Sequence, residues 1–216
     1  MRTLVPFFNA WQTLSIARFS FSVVTAFVLM FLPRVATADV ITFDNQINHG
    51  EGDEPFVSET EGQFRVAATT GNWRAGFIFG NSEPSIFIEG PMPSGSITVT
   101  NIAGLLFTWS GLDFSSNNGN TAYDIKGFSV GSVQRFDETG VFTNSGPNFH
   151  FDTLLSTDSS IPINSLVISL TLLGGIASTA NLDNIVVNAT LAPEPSSLLL
   201  LSIGLVGLIC YRKAMN

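Results

Sequence analysis

Carboxylates are the most numerous chemically active groups in this sequence. Between Asp39 and Ala192 sixteen Asp and Glu face only four basic residues, Arg65, Arg74, Lys126 and Arg135, a formal charge of −12 for that interval against −8 for the 216-residue chain. Two carboxylates roughly 5–9.5 Å apart can hydrolyse a glycosidic bond. Carboxylates joined by neutral oxygens can instead hold calcium, which takes six to eight oxygens at about 2.3–2.6 Å. The rest of the catalytic inventory is thin. His49 and His150 lie far apart and neither stands in a ligand spacing such as His-x-x-x-His. The body has no Gly-x-Ser-x-Gly elbow, no phosphate-cradling glycine pattern and no thiol, because the sole cysteine, Cys210, sits in an apolar tail. That cysteine count also rules out an intrachain disulfide. The chain reads as a non-enzyme, and the scarcity of clustered Lys and Arg argues against nucleic acid as a partner. Trp73, just after the turn-forming pair Gly71-Asn72, is the candidate for stacking on a sugar ring. The plain alternative for Trp73 is packing beneath a loop. Trp109 lies in an apolar stretch and reads as core, and the polar stretch 115–120 reads as a hairpin tip that could rim a sugar site.

The elements that must position these groups are strands. Ser96 to Thr100 alternates, with Ile97 and Val99 on one side, and in 166–172 Leu166, Ile168, Leu170 and Leu172 share a face opposite Ser169 and Thr171. Similar short runs occur at 40–44, 63–68, 76–79, 85–88, 105–109, 112–114, 123–130 and 181–187, with weaker ones at 133–136 and 149–151. The acidic segment 45–61 reads as an irregular loop. No stretch of the body holds a 3.6-residue period over three turns. Short strands at regular spacing, rich in Phe, Val, Ile and Thr, predict an all-β fold, an antiparallel β-sandwich or barrel.

Both ends of the chain differ from this body. Residues 1–38 have the form of a signal peptide: Arg2 and Arg18, an uncharged run from Phe19 to Leu32, Pro33, then the small-x-small site Ala36-Thr37-Ala38, with a cut expected before Asp39. An uncleaved anchor is the alternative. At the other end Pro193-Glu194-Pro195 precedes the sixteen uncharged residues Ser196 to Tyr211, followed by Arg212 and Lys213. As a helix that run is about 24 Å long at 1.5 Å per residue, at the short limit for a hydrocarbon core of roughly 30 Å. Pro195 suits the first turn of a helix, and Arg212 and Lys213 belong on the cytoplasmic side. The expected organisation is a signal peptide over 1–38, a β-sandwich over 39–189, and a sorting segment over 190–216 with a single transmembrane helix at 196–211.

This tripartite tail resembles the PEP-CTERM sorting signal of Gram-negative bacteria. The resemblance rests on Pro193, Glu194 and Pro195, the apolar run, and the basic end at Arg212 and Lys213. It implies export by the secretion machinery, transient anchoring in the inner membrane, and recognition by an exosortase that removes the tail near the motif. The protein would then reach the cell surface or the medium, in association with exopolysaccharide or biofilm matrix. A retained C-terminal anchor is the alternative. The body, through "ITFDN", "GNW", "GSITVT", "FTWSGLDFSS", "YDIKGFSVG", "INSLVISLT" and "NLDNIVV", resembles the domain that recurs in many PEP-CTERM proteins, a jelly-roll sandwich similar to carbohydrate-binding modules. Jelly rolls often lay their first and last strands side by side. That arrangement implies that Asp44 and Asp183 meet at a sheet edge, with Asn184 or Asn45 adding an oxygen, as a calcium site. The alternative is that Asp183-Asn184 marks a strand irregularity and Asp44 caps a turn. The expectation is a non-enzymatic surface or matrix protein. A calcium-dependent, lectin-like module is the second reading, and a matrix-glycan hydrolase the third.

Overall fold

The computed structural model describes residues 38–48, 54–76, 83–90, 93–117, 119–144, 150–174, 178–189, 203–205, 207–208 and 211–212. The expected leader before Ala38, together with Pro193, Glu194, Pro195 and Lys213, lies outside the described residues. Residues 203–205, 207–208 and 211–212 are helical, and among the described residues no helix is long and apolar enough to cross a membrane. Ala36–Ala192 form a compact unit of their own.

That unit is a two-sheet antiparallel sandwich, as the strand pattern predicts. In chain order its strands are β1 (Ala38–Ile41), β2 (Glu54–Pro55), β3 (Ser58–Glu61), β4 (Phe64–Thr70), β5 (Trp73–Gly76), β6 (Ser85–Gly90), β7 (Ser94–Asn101), β8 (Phe107–Asn117), β9 (Thr121–Ser129), β10 (Val133–Phe142), β11 (Asp152–Leu155), β12 (Ser165–Leu172) and β13 (Ser178–Ala189). One sheet runs β11-β8-β13-β6-β5-β2, with β1 also on β13; the other runs β10-β9-β12-β7-β4-β3. The first and last strands do lie side by side, with Ile41 opposite Ile185.

The alternating residues fill the space between the sheets. Ile97, Val99, Leu166, Ile168, Leu170 and Leu172 are all buried in one core with Phe64, Phe107, Trp109 and Leu182. Between β9 and β10 each strand lays an aromatic ring over a glycine of the other: Gly127 pairs with Phe136, and Gly140 with Tyr123. A Cβ at either glycine would run into the ring. Phe136 then stacks under Trp109 and Phe142 under Phe114, so these rings tie the two sheets together.

Two segments depart from their expected form. In the polar stretch 115–120, read as a hairpin tip, Ser115, Ser116 and Asn117 are the end of β8, with Ser115 and Ser116 buried. The acidic stretch 45–61 is not a loop throughout: it holds a 3-10 turn at Asp44–Asn48 and the strands β2 and β3. Its Glu and Pro residues disguise a pair of edge strands, where charge and Pro are tolerated because one side of the strand makes no ladder.

Candidate functional site

Polar side chains gather in two places, and the expected site residues distribute between them differently from the sequence reading. The first place is the outer face of the seven-stranded sheet. Thr153 of β11 is in register with Asp113 of β8, and Asp113 with Asp183 of β13. Cross-strand partners share a face, so the three form a row perpendicular to the strands. Leu182 and Phe114, one residue along, point the other way into the core. Asp183 is 0% exposed and Asp113 8%.

A β-bulge builds this row. The register shifts between Asp183 and Val186, and Asn184 sits there at φ 45°. Asn tolerates that left-handed conformation better than most residues, which fits its place in Leu182-Asp183-Asn184-Ile185. The bulge turns the Asn184 amide onto β8, where Nδ2 donates to Asp113 Oδ2 at 2.9 Å, while the Asn184 backbone N–H donates to Asp183 Oδ1 at 2.8 Å. Thr153 Oγ1 donates to Asp113 Oδ1 at 2.6 Å. Next along β13, Asn181 is also buried and donates from Nδ2 to Ser85 Oγ at 3.3 Å.

Two expected site residues stand differently from the expected arrangement. Asp44 lies outside the β1–β13 ladder. The β1–β13 ladder ends at Ile41, and the chain leaves it through Phe43 at φ 60° into the 3-10 turn, where Asp44 is exposed. Asp183 lies on a strand paired on both sides and meets Asp113, a residue the sequence reading did not single out; only the register identifies it. Trp73 is no sugar platform. It is 2% exposed, its indole Nε1 donates to Thr70 O at 3.0 Å, and it lies against Gly95 of the opposite sheet, where an added Cβ would stand 2.7 Å from Nε1. Among the described residues of the body, the exposed large apolar side chains are all aliphatic.

The second polar place is the turn after β1. Glu61 and Glu59 of β3 reach toward it: Glu61 Oε2 accepts from the backbone N–H groups of Thr42 at 2.9 Å and Phe43 at 3.1 Å, and Glu59 Oε2 accepts from Gln46 Nε2 at 2.9 Å. Asp44 therefore belongs to a turn braced by β3. Elsewhere, His150 lies 3.5 Å from Asp152, both half exposed. Lys126 bridges Asp124 and Asp137, and the hydrogen bond its ammonium donates to Asp124 raises its pKa above the ordinary value. Among the described residues no three His, Cys, Asp or Glu side chains cluster as a metal site.

Known proteins add one assignment. No curated protein matches the chain. A DUF4465 family protein from Bacteroides caccae is similar in structure at 9% identity and a TM-score of 0.48, over 71% of this chain and 100% of that one. A family 29 carbohydrate binding module from Piromyces equi is similar at 11% identity and a TM-score of 0.43, over 73% and 93%. The enzymatically active domain of tailspike protein 4 of bacteriophage CBA120 gives 14% and 0.40, and the chain spans only 19% of its length. At these scores the likenesses assign this chain no ligand and no activity. The tail is different, since it matches a sequence family directly: residues 191–213 are a PEP-CTERM protein-sorting motif.

Proposed function

We propose that this chain is an exported, non-catalytic surface or matrix protein, delivered and processed through its PEP-CTERM tail by an exosortase and held in an exopolysaccharide or biofilm matrix by its sandwich. The sorting motif at 191–213, directly after the last strand, carries this reading. The outer face of the six-stranded sheet is compatible with a hydroxyl-rich polymer. There Ser96, Thr98 and Thr100 of β7 stand in register with Ser169, Val167 and Ser165 of β12, and Ser96 and Ser169 already share a hydrogen bond of 2.8 Å. With Trp73 in the core, such a face would recognise a sugar by hydrogen bonds rather than by ring stacking. Calcium remains a proposal for the other sheet, where Asp113 and Asp183 stand directly opposite each other with Asn184 beside them.

Intact mass measured on protein recovered from its native host, in membrane and secreted fractions, tests the main reading. The expected secreted species starts at Asp39 and ends near Pro193–Pro195. Retention of Arg212 and Lys213 in every fraction would overturn it and leave a tethered domain.

A further inference from the structure

The first and last strands of the body leave the sandwich at the same end. Ala189, the last residue of β13, stands opposite Phe107, the first of β8, and Ala38 stands opposite Asn188. Phe107 ends the turn that leaves β7 at Asn101, and Asn101 stands opposite Phe64, the first residue of β4. In that sheet Ser165, the first residue of β12, lies between Thr100 of β7 and Phe128 of β9. The β7–β8 and β9–β10 turns therefore project from the end at which the chain runs on toward its sorting motif. Residues 190–195 alone separate Ala189 from the apolar run that starts at Ser196. Fully extended, that stretch reaches at most about 20 Å.

The two turns present aliphatic side chains to solvent: Ile102 is 61% exposed, Val130 78% and Val133 58%. β7 and β9 flank β12, so Ile102 and Val130 follow strand ends roughly 10 Å apart. A single exposed aliphatic residue is ordinary, but these three share their end with two arginines. Arg65 stands opposite Thr100 on β4, Arg135 lies in the bulge at the start of β10, and both are exposed. Among the described residues of the body they are the two Lys or Arg outside any ion pair, since Arg74 pairs with Glu89 and Lys126 with Asp124 and Asp137. The half-buried Asp39, Glu61 and Asp158 lie toward the same end, so it carries little net charge on an otherwise acidic body. At the opposite end Val141 and Leu173 are exposed as well, but the cation of that end, Arg74, is the one paired with Glu89.

Aliphatic tips flanked by arginine suit the interface of an anionic bilayer, where apolar side chains enter the acyl boundary and guanidinium groups meet phosphate. We propose that Ile102, Val130 and Val133, with Arg65 and Arg135, rest this end of the body on the lipid surface that holds the sorting tail. The inference rests on the reading of that tail as a membrane segment. Three tips bind weakly by themselves, and the short tether makes the contact effective by keeping them at high local concentration. Removing the tail removes the tether, so the same contact does not retain the processed body.

The test uses the full chain in vesicles of phosphatidylethanolamine and phosphatidylglycerol, with an environment-sensitive fluorophore on one cysteine and brominated lipid as quencher. Labelled Cys210 of the wild type reports on the tail. In a Cys210→Ala background, Ala103→Cys reports on the β7–β8 turn and Asn72→Cys on the opposite end. Quenching is expected at positions 210 and 103 and not at 72. Combining Ile102→Ser, Val130→Ser and Val133→Ser should abolish it at 103 and leave the Tm unchanged, because all three side chains are exposed. Arg65→Gln with Arg135→Gln should weaken it and remove its dependence on phosphatidylglycerol. Quenching at 210 without quenching at 103 overturns the docking and leaves the membrane reading of the tail intact. No quenching at 210 overturns both. Equal quenching at 103 and 72 overturns a docking confined to one end. A blue shift at 103 without quenching overturns it too, and assigns the tips to a second copy of the chain.

Discussion

Trp73 illustrates how a single side chain can look like a ligand contact and serve as a keystone. Beside a Gly-Asn turn it has the local context of an exposed ring, but the pocket that receives it is made by Gly95, a residue of another strand in another sheet. Nothing adjacent to Trp73 in sequence shows that glycine, which is why the pattern around it misleads. Trp73→Ala should cost about 3–5 kcal/mol, the usual penalty for emptying a buried aromatic site, measured by urea unfolding. Trp73→Phe, which keeps most of the bulk and loses the bond to Thr70 O, should cost about 1 kcal/mol. Retention of the phenylalanine variant on matrix polysaccharide should be unchanged. A selective loss of retention at full stability would return the ring to a binding role.

At the scale of elements, the sandwich must fasten its edges, and Glu138 does this for one of them. It lies on β10, an edge of the six-stranded sheet, and its Oε1 accepts from Ser156 Oγ at 2.7 Å, Thr157 N at 2.9 Å, Thr157 Oγ1 at 3.1 Å and Asp158 N at 3.1 Å. Those donors follow β11, an edge of the other sheet. One carboxylate oxygen thus staples edge to edge. Glu138→Ala should cost roughly 1–3 kcal/mol, the range for stranding several donors, and should speed hydrogen exchange at Thr157 and Asp158 more than in β12. Equal acceleration in both would argue against a local staple. β12 and β7 were legible in the sequence because their faces alternate strictly between core and solvent. β2, β3 and the second half of β10 were not, since edge strands carry charge and need bury only one face. Register was not legible either. Asp113 faces Asp183, and Gln46 reaches Glu59, through pairings between distant segments that no local pattern encodes.

At the scale of the whole molecule, the two expected processing events fall at the borders of strands that pair with each other. A cut before Asp39 removes only Ala38 from β1 and leaves Asp39, Val40 and Ile41 opposite Val187, Val186 and Ile185. A cut near Pro193–Pro195 lies beyond Ala189, where β13 ends. The leader and the sorting tail can therefore both be removed without opening the ladder that closes the sheet, and the buried side chains of these strands, Ile41, Ile185 and Val187, stay in place. The body freed at Asp39 and near Pro193 should unfold in one transition with the same urea midpoint as the full chain in detergent, because stability in a single domain comes from its own buried core. Ile41→Ala in that body should lower its stability by about 2–5 kcal/mol, since it empties a core position on the strand that joins the two ends. A freed body with a clearly lower midpoint than the full chain would mean that the end segments support the sandwich, and processing would then weaken the protein at the moment of its release.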